Sequence, residues 1–237
     1  MTVIEVEKLR KNYKSKTAVD GISLRVQRGQ IVGVAGANGA GKTTLVECMS
    51  GLRSRDGGDV RVLGMDPWTQ RRQLQQRIGV QLQESALPDA LKVGEAFRLY
   101  AALYDRGDWR TVMADWDLTD KQRVRFGSLS GGWKQRLLVA LALVGDPEIV
   151  FLDELTTGLD PVARRTTWTM LKALRERGLT VVLVTHFMDE AEALCDQVLV
   201  IADGRVVAGG TPAELIARTA TDSLESAYLT LSGAELS

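Results

Sequence analysis

Histidine is nearly missing from this chain: His186 is its only one. A single imidazole cannot make a metal cluster by itself. Cysteine is almost as scarce. Cys48 and Cys195 stand far apart and form no metal or redox motif. Both lie in apolar or helical contexts, so reduced core thiols and a reducing, cytosolic compartment are expected. Neither sign of charge is in excess. Lys and Arg number 30 and Asp and Glu number 30, for a formal net charge of zero. That balance argues against a broad basic surface, and no nucleic-acid partner is expected, although a local patch is compatible with it. Long hydrophobic runs are missing too. The longest strongly apolar run, Leu137 to Val144, is far short of the roughly 20 residues that span a bilayer. Any membrane role must then come through a partner chain. The start, Met1-Thr-Val-Ile-Glu-Val-Glu-Lys, alternates and carries acids early, unlike a signal peptide. Five prolines, scattered glycines and no internal repeat, linker or low-complexity segment speak against disorder. What is present is a 237-residue chain, 45% hydrophobic, with enough apolar material for a substantial core. One domain with a subdomain is the expected organisation.

Hydrophobic patterning divides the chain. Val3–Glu7 and Gly21–Gln27 show the two-residue alternation of half-buried strands, and Gln30–Ala35 reads as a buried strand after the turn Arg28-Gly29. A glycine-rich loop follows, then a helix over about 42–49 that stops near Gly51. Asp56-Gly57-Gly58 is a turn before a short strand, Asp59–Leu63, and Ile78–Leu82 is another. From Glu84 to Val144 the pattern turns helical, with Val93, Phe97, Tyr100, Ala101 and Tyr104 at helical spacing and an apolar helix over 133–144. Strand character returns at Glu148–Leu152 and Thr180–Val184, separated by a helix around 162–177. This alternation predicts a mainly parallel core sheet carrying helices, an α/β fold. The tail opens on Thr211-Pro-Ala-Glu214, a capping box with proline at the first helical position.

Chemistry enters at Gly36-Ala-Asn-Gly-Ala-Gly-Lys-Thr-Thr44. Gly36-x4-Gly41-Lys42-Thr43 matches the phosphate-binding loop and has the context that the motif requires, a strand before and a helix after. Glycines let backbone N–H groups wrap phosphates, and the helix N-terminus adds about half a positive charge. Lys42 neutralises β- and γ-phosphates, and the Thr43 hydroxyl is a hard oxygen ligand for Mg²⁺. Alone, this loop says only that a nucleoside triphosphate is bound. Asp153-Glu154 closes an apolar strand. An acid there can hold Mg²⁺ and its neighbour can orient or deprotonate the attacking water, or the pair is a solvated turn. His186, at the end of the run Thr180–Thr185, is either a solvated loop histidine or a contact to a terminal phosphate; the order of the surrounding motifs favours the contact.

In sequence, Tyr13, the phosphate loop, Gln83, Leu129-Ser-Gly-Gly132, Asp153-Glu154, Gly158-Leu-Asp160 and His186 resemble the ABC-type ATPases, nearly end to end from about Val3 to Gly210. Each motif is modest alone; all of them in one order is highly specific. The resemblance implies a RecA-like, mainly parallel core sheet, an antiparallel β subdomain and an inserted helical subdomain. It implies one domain over residues 1–237, with core and β subdomain at 1–82 and 146–210, helical signature subdomain at 83–145 and a C-terminal helical tail at 211–237. By the same resemblance Tyr13 stacks on adenine, and Gly36, Asn38, Gly39, Ala40, Gly41, Lys42, Thr43 and Thr44 hold the phosphates. Gln83 senses Mg²⁺ and the attacking water, with Gln81 as the fallback, since Val80-Gln-Leu-Gln-Glu84 offers two. Thr43, Gln83 and Asp153 surround Mg²⁺, Glu154 is the general base, His186 the switch histidine, and Asp160 communicates across a dimer. Ser130, Gly131 and Gly132 bind the γ-phosphate held by the opposite subunit.

The mechanism implied by this resemblance is an ATP sandwich, with two copies, or this chain and a related ATPase subunit, facing head to tail around two ATP molecules. A separate transmembrane permease subunit would hold the pair at the inner face of the cell membrane. The stretches Phe187–Asp196 and Asp222–Gly233 resemble ATPase subunits of exporters, the drug-resistance type in particular. Leu87, Pro88, Val93, Phe97 and Tyr100 are the apolar set beside which a permease helix would dock, with internal packing of the subdomain the expected role for most of them. A competing class, ABC-type ATPases that move no solute, carries long coiled coils or two ATPase units per chain, and neither pattern is present. A nucleotide-gated subunit with negligible turnover is opposed by the intact Glu154 and His186. Two positions depart from the family pattern. Trp133 stands in place of glutamine and Leu155 in place of proline. Trp133 reads as a tolerated variant, with a weakened composite site or packing against a partner as alternatives. Leu155 is expected to cost little.

Overall fold

A computed structural model describes residues 1–14, 16–83 and 85–233. Glu84, where the helical patterning opens, and the last four residues of the expected tail lie outside the described residues.

The chain opens with two long antiparallel strands, β1 (Thr2–Tyr13) and β2 (Lys16–Gln27), followed by β3 (Ile31–Ala35), which is buried at every position. Helix α1 (Lys42–Met49), β4 (Gly57–Val62), the short α2 (Arg71–Gln75) and β5 (Ile78–Gln81) come next. The middle carries α3 (Val93–Ala101), α4 (Trp109–Asp115) and α5 (Gly131–Leu143). The rest alternates: β6 (Ile149–Asp153), α6 (Pro161–Glu176), β7 (Thr180–Thr185), α7 (Met188–Leu194), β8 (Gln197–Ala202), β9 (Arg205–Gly210), α8 (Pro212–Thr219) and α9 (Leu224–Ser232).

Two sheets result. The smaller is antiparallel, in the order β2-β1-β4; the larger runs β5-β6-β7-β3-β8-β9 and is parallel except at its last pair. Between the sheets lies an apolar layer including Ile4, Leu9, Ile22, Leu45, Met49 and Phe151. A second layer joins the other face of the larger sheet to the helices, through Phe97, Leu137, Leu141, Leu152 and Leu183. The register matters most for function. Asp153 pairs with Val184, and Ala35 with Thr185. Parallel neighbours β6, β7 and β3 therefore end together, and the loops that leave them emerge side by side, where open α/β sheets bind ligands.

The strands β1 and β2 are longer than the alternation predicts. In β1 the register slips between Val6 and Leu9, where Lys8 adopts φ of 49°. This bulge puts Glu7 and Lys8 both outside and Leu9 back in the core, which breaks the period of two. The stretch patterned as one helical region is three helices joined by turns. Here α5 starts at Gly131, two residues before Trp133, because Ser130 is extended (ψ 162°) and serves as its N-cap. The capping box at Thr211 is formed: its hydroxyl accepts from Glu214 N, and the Glu214 carboxylate accepts from Thr211 N.

Candidate functional site

Backbone geometry builds the phosphate loop. Gly41 has φ of 104°, and a Cβ there would stand 2.1 Å from the Ala18 carbonyl oxygen. Only glycine meets both demands. Lys42 and Thr43 then begin α1. Lys42 is 6% exposed, and its ammonium donates to the Gly36 and Ala37 carbonyls at 2.8 and 3.0 Å. Burial lowers its pKa, and the nearby Glu154 and Asp153 oppose that shift.

The end of β6, the next strand but one from β3, supplies the acids. Asp153 closes β6, is 1% exposed, and its Oδ2 accepts from the Thr43 hydroxyl at 3.0 Å. Burial pushes its carboxyl up, against the pull of Thr43. Its Oδ1 is buried without a hydrogen-bond partner, a costly state for a carboxylate oxygen unless a cation meets it. One hydroxyl and one carboxylate beside a phosphate loop form a sparse, hard-oxygen set of the kind that suits Mg²⁺. Among the described residues no group of three or more His, Cys, Asp and Glu gathers in the manner of an all-protein metal cage.

Glu154 comes next, in a left-handed backbone conformation, φ 51°, its N–H donating to the Val184 carbonyl at 2.9 Å. The turn breaks the alternation of strand side chains, so Asp153 and Glu154 reach the same side. Gln83 Nε2 donates to Glu154 Oε2 at 2.6 Å, and His186 Nδ1 lies 3.4 Å from Glu154 Oε1. The His186 ring packs on Phe187 with centroids 4.1 Å apart. Gln83 and Glu154 border a cleft of about 560 Å³ also lined by Tyr13, Lys16, Ala18, Asn38, Gly39, Gly41, Lys42, Thr43 and Thr44; Asp153 and His186 do not line it. Tyr13 lies at its rim with the Arg53 guanidinium 5.1 Å from its ring. Gln83 enters the cleft; Gln81 is 3% exposed and spends its amide on the Leu82 carbonyl. Gly36 and Ala40 belong to the loop but do not line this cleft. A Cβ on Gly36 would meet the Ile201 carbonyl at 2.4 Å, and Ala40 is in the core between the sheets.

Ser130, Gly131, Gly132 and Asp160 do not line this cleft. They form a second group. A Cβ on Gly132 would sit 3.4 Å from Ala163 Cβ, whereas one on Gly131 would meet nothing within 4 Å. Asp160 caps α6, its Oδ1 accepting from the Val162 and Ala163 N–H groups at 2.9 and 3.0 Å. Trp133 packs within its own chain: Lys121 Nζ lies 4.3 Å and the Arg136 guanidinium 4.5 Å from the ring centroid. Leu155 is fully buried. Of the apolar set beside the expected permease helix, Val93 and Phe97 are fully buried, Phe97 stacking on Trp109 at 6.2 Å, so neither presents a surface. Lys16, which lines the cleft, and Arg53, which packs on Tyr13, were not legible in the sequence, because only the β1–β2 pairing and the turn after α1 bring them there.

A phosphate loop at the end of one parallel strand, with carboxylates at the end of the next strand but one, defines a P-loop nucleoside-triphosphatase site. Comparison with known proteins is more specific. The ABC transporter family matches residues 19–157. The Nod factor export ATP-binding protein I of Paraburkholderia xenovorans is 40% identical over 220 residues, covering 90% of this chain and 72% of that protein. The daunorubicin resistance ATP-binding protein DrrA3 of Streptomyces coeruleorubidus is 40% identical over 230 residues, covering 94% and 73%. Among solved structures, the ATP-binding subunit of an ABC transporter superposes with a TM-score of 0.87 at 24% identity over 97% of this chain and 99% of that one. A bacterial ABC transporter cassette solved as a dimer gives 0.78 at 25% identity over 88% and 98%. The chain belongs to the ABC transporter family. It is an ATP-binding, ATP-hydrolysing subunit with the cassette fold.

Proposed function

We propose that this subunit drives export by closing on ATP as a head-to-tail dimer beneath a separate membrane-spanning permease at the inner face of the cell membrane. The observation that carries the hydrolytic part is the convergence of Gln83 and His186 on Glu154, at 2.6 and 3.4 Å, beside the phosphate loop.

Tyr13 stacks on the adenine, and the amides of residues 36–44 wrap the phosphates. Lys42 exchanges the Gly36 and Ala37 carbonyls for phosphate oxygens, a favourable trade because a charged acceptor strengthens the bond. Thr43 and Asp153 would hold Mg²⁺, which would supply positive charge to offset that of the phosphates. Glu154 takes the proton from the attacking water as its oxygen bonds to the γ-phosphorus, and the bond from that phosphorus to the β-phosphate oxygen breaks, leaving ADP and phosphate. Gln83 orients the water, and His186 contacts the terminal phosphate.

Ser130 and the amides at the start of α5 serve the γ-phosphate of the facing subunit. Two features support this. The glycine at 131 is called for neither by backbone nor by packing in this chain, and the first-turn amides of a helix attract anions. No helix among the described residues is long and apolar enough to cross a membrane, in keeping with a separate permease. The relatives named for Nod factor export and daunorubicin resistance support the outward direction. The test separates binding from hydrolysis. Glu154→Gln should retain ATP binding, followed with a fluorescent nucleotide, while phosphate release falls at least about a hundredfold, the usual worth of a general base. Near-normal turnover would remove Glu154 from that role.

A further inference from the structure

Glu190 is the carboxylate that this mechanism does not use. It lies in the first turn of α7 and is fully buried, as are Thr156, two residues beyond Glu154, and Thr185, next to His186. The Trp168 indole N–H, from the middle of α6, donates to Glu190 Oε1 at 3.1 Å. The Thr185 and Thr156 hydroxyls face the same carboxyl; burial nonetheless dominates and raises its pKa. Glu190 Oε2 and Thr156 Oγ1 are both buried without a hydrogen-bond partner. They are complementary, since a neutral carboxyl can donate where the hydroxyl accepts. Thr185 itself is engaged locally, its hydroxyl accepting from Phe187 N at 3.0 Å. Asp189, beside Glu190, pairs with Arg164 of α6 at 3.3 Å, and Arg164 lies 4.7 Å from the Phe187 ring.

An apolar side chain would fill this place at less cost, since a buried carboxyl loses hydration and must be compensated by hydrogen bonds. What Glu190 adds is connection. Its carboxyl is hydrogen-bonded to the helix headed by Asp160 through Trp168, and it faces Thr156 on the loop carrying Glu154 and Thr185 beside His186.

We propose that Glu190 is a positioning residue for ATP hydrolysis, its buried carboxyl holding the Glu154 and His186 loops in register against α6. This rests on the roles proposed for Glu154 and His186. Loss of the tie lets the two loops drift by a fraction of an ångström, which lowers the rate of the chemical step and leaves nucleotide binding in place, because the phosphate loop belongs to β3 and α1.

The experiment measures kcat and KM for MgATP hydrolysis, fluorescent-nucleotide affinity and melting temperature for Glu190→Ala, Glu190→Gln, Trp168→Phe and Thr156→Val, with Glu154→Gln and His186→Ala alongside. Glu190→Ala should lose about tenfold or more in kcat with KM little changed, as expected of a small misplacement of catalytic groups. Trp168→Phe and Thr156→Val should lose several-fold in kcat while remaining folded, and they decide the matter if Glu190→Ala does not fold. Glu190→Gln should rescue most of the activity, since an amide can accept from the indole and donate to a threonine. Lower melting temperatures with unchanged kcat would overturn the proposal and leave Glu190 a packing residue. Normal hydrolysis by Glu154→Gln or His186→Ala would instead overturn the reading beneath it. Loss of hydrolysis in those two, with kcat preserved in the Glu190, Trp168 and Thr156 set, would overturn the positioning role alone.

Discussion

Lys42 carries a buried ammonium that, without a nucleotide, is satisfied by two carbonyls of its own loop. Lys42→Ala removes the ammonium that lies inside the loop, and the expected result is a loss of ATP affinity of about tenfold to a hundredfold, the worth of one charge-assisted hydrogen bond. Titration with a fluorescent ATP analogue reads it, and unchanged affinity would sink the proposed contact. Trp133 stands where the resemblance implies glutamine. The indole lies against Lys121 and Arg136 of its own chain, which favours a tolerated variant over a surface reserved for a partner. Trp133→Gln should therefore leave ATPase activity similar or raise it, at a cost of about 1–2 kcal/mol in thermal stability from two lost cation–π contacts. A large loss of activity would assign the indole a part in the composite site. Lys42, Thr43 and the acidic pair were legible in the sequence because their spacing is dictated by local backbone chemistry. Lys16, Arg53 and Glu190 were not, since each acquires its neighbours only through pairing or packing.

At the scale of elements, the informative case is α6. Asp160 was singled out by resemblance as a residue that communicates across a dimer, and in the structure its Oδ1 caps the helix. The two roles separate by substitution. Asp160→Ala should cost about 1 kcal/mol of stability, the usual worth of an N-cap, whereas Asp160→Asn keeps the cap. If Asp160→Asn also leaves turnover unchanged, the residue is a cap and nothing more; a slower turnover at an unaltered melting temperature supports the role across the dimer. The strand bulge at Lys8 shows why element lengths were harder to read than their presence. A period-two pattern detects regular pleat, and one left-handed residue shifts the phase of everything after it. Loop ends were easier where a capping residue marks them, as at Thr211.

Considered whole, the molecule keeps two groups of candidate site residues apart. The cleft holds the phosphate loop and Glu154, while Ser130–Gly132 and Asp160 stand apart from it. The proposed sandwich brings the second group of one subunit to the cleft of the other. Nucleotide favours the closed pair only through contacts it makes there and not in the single subunit. Glu154→Gln, which should trap ATP, is thus expected to shift from monomer to dimer mass by light scattering on addition of ATP and Mg²⁺, and Lys42→Ala is expected to stay monomeric. Dimers that form equally without ATP would argue against the sandwich. Absence of any shift would argue against a homodimer and direct the search to a related ATPase subunit, by pull-down from membranes.

The sequence by itself determined the phosphate loop, the acidic strand end, the α/β alternation and, through the order of seven short motifs, the family. These are properties of neighbouring residues, set by backbone sterics and by the chemistry of phosphate and Mg²⁺. Only the tertiary structure decided which glutamine enters the cleft, that Val93 and Phe97 are core, that Lys121 and Arg136 flank the Trp133 indole, and that the Trp168 indole meets Glu190. Those outcomes depend on strand register and helix packing, which bring together residues distant in the chain, such as Arg53 and Tyr13 at one rim of the cleft and Gln83 and Glu154 at another. No local pattern encodes such a meeting; the buried apolar layers that set the register do.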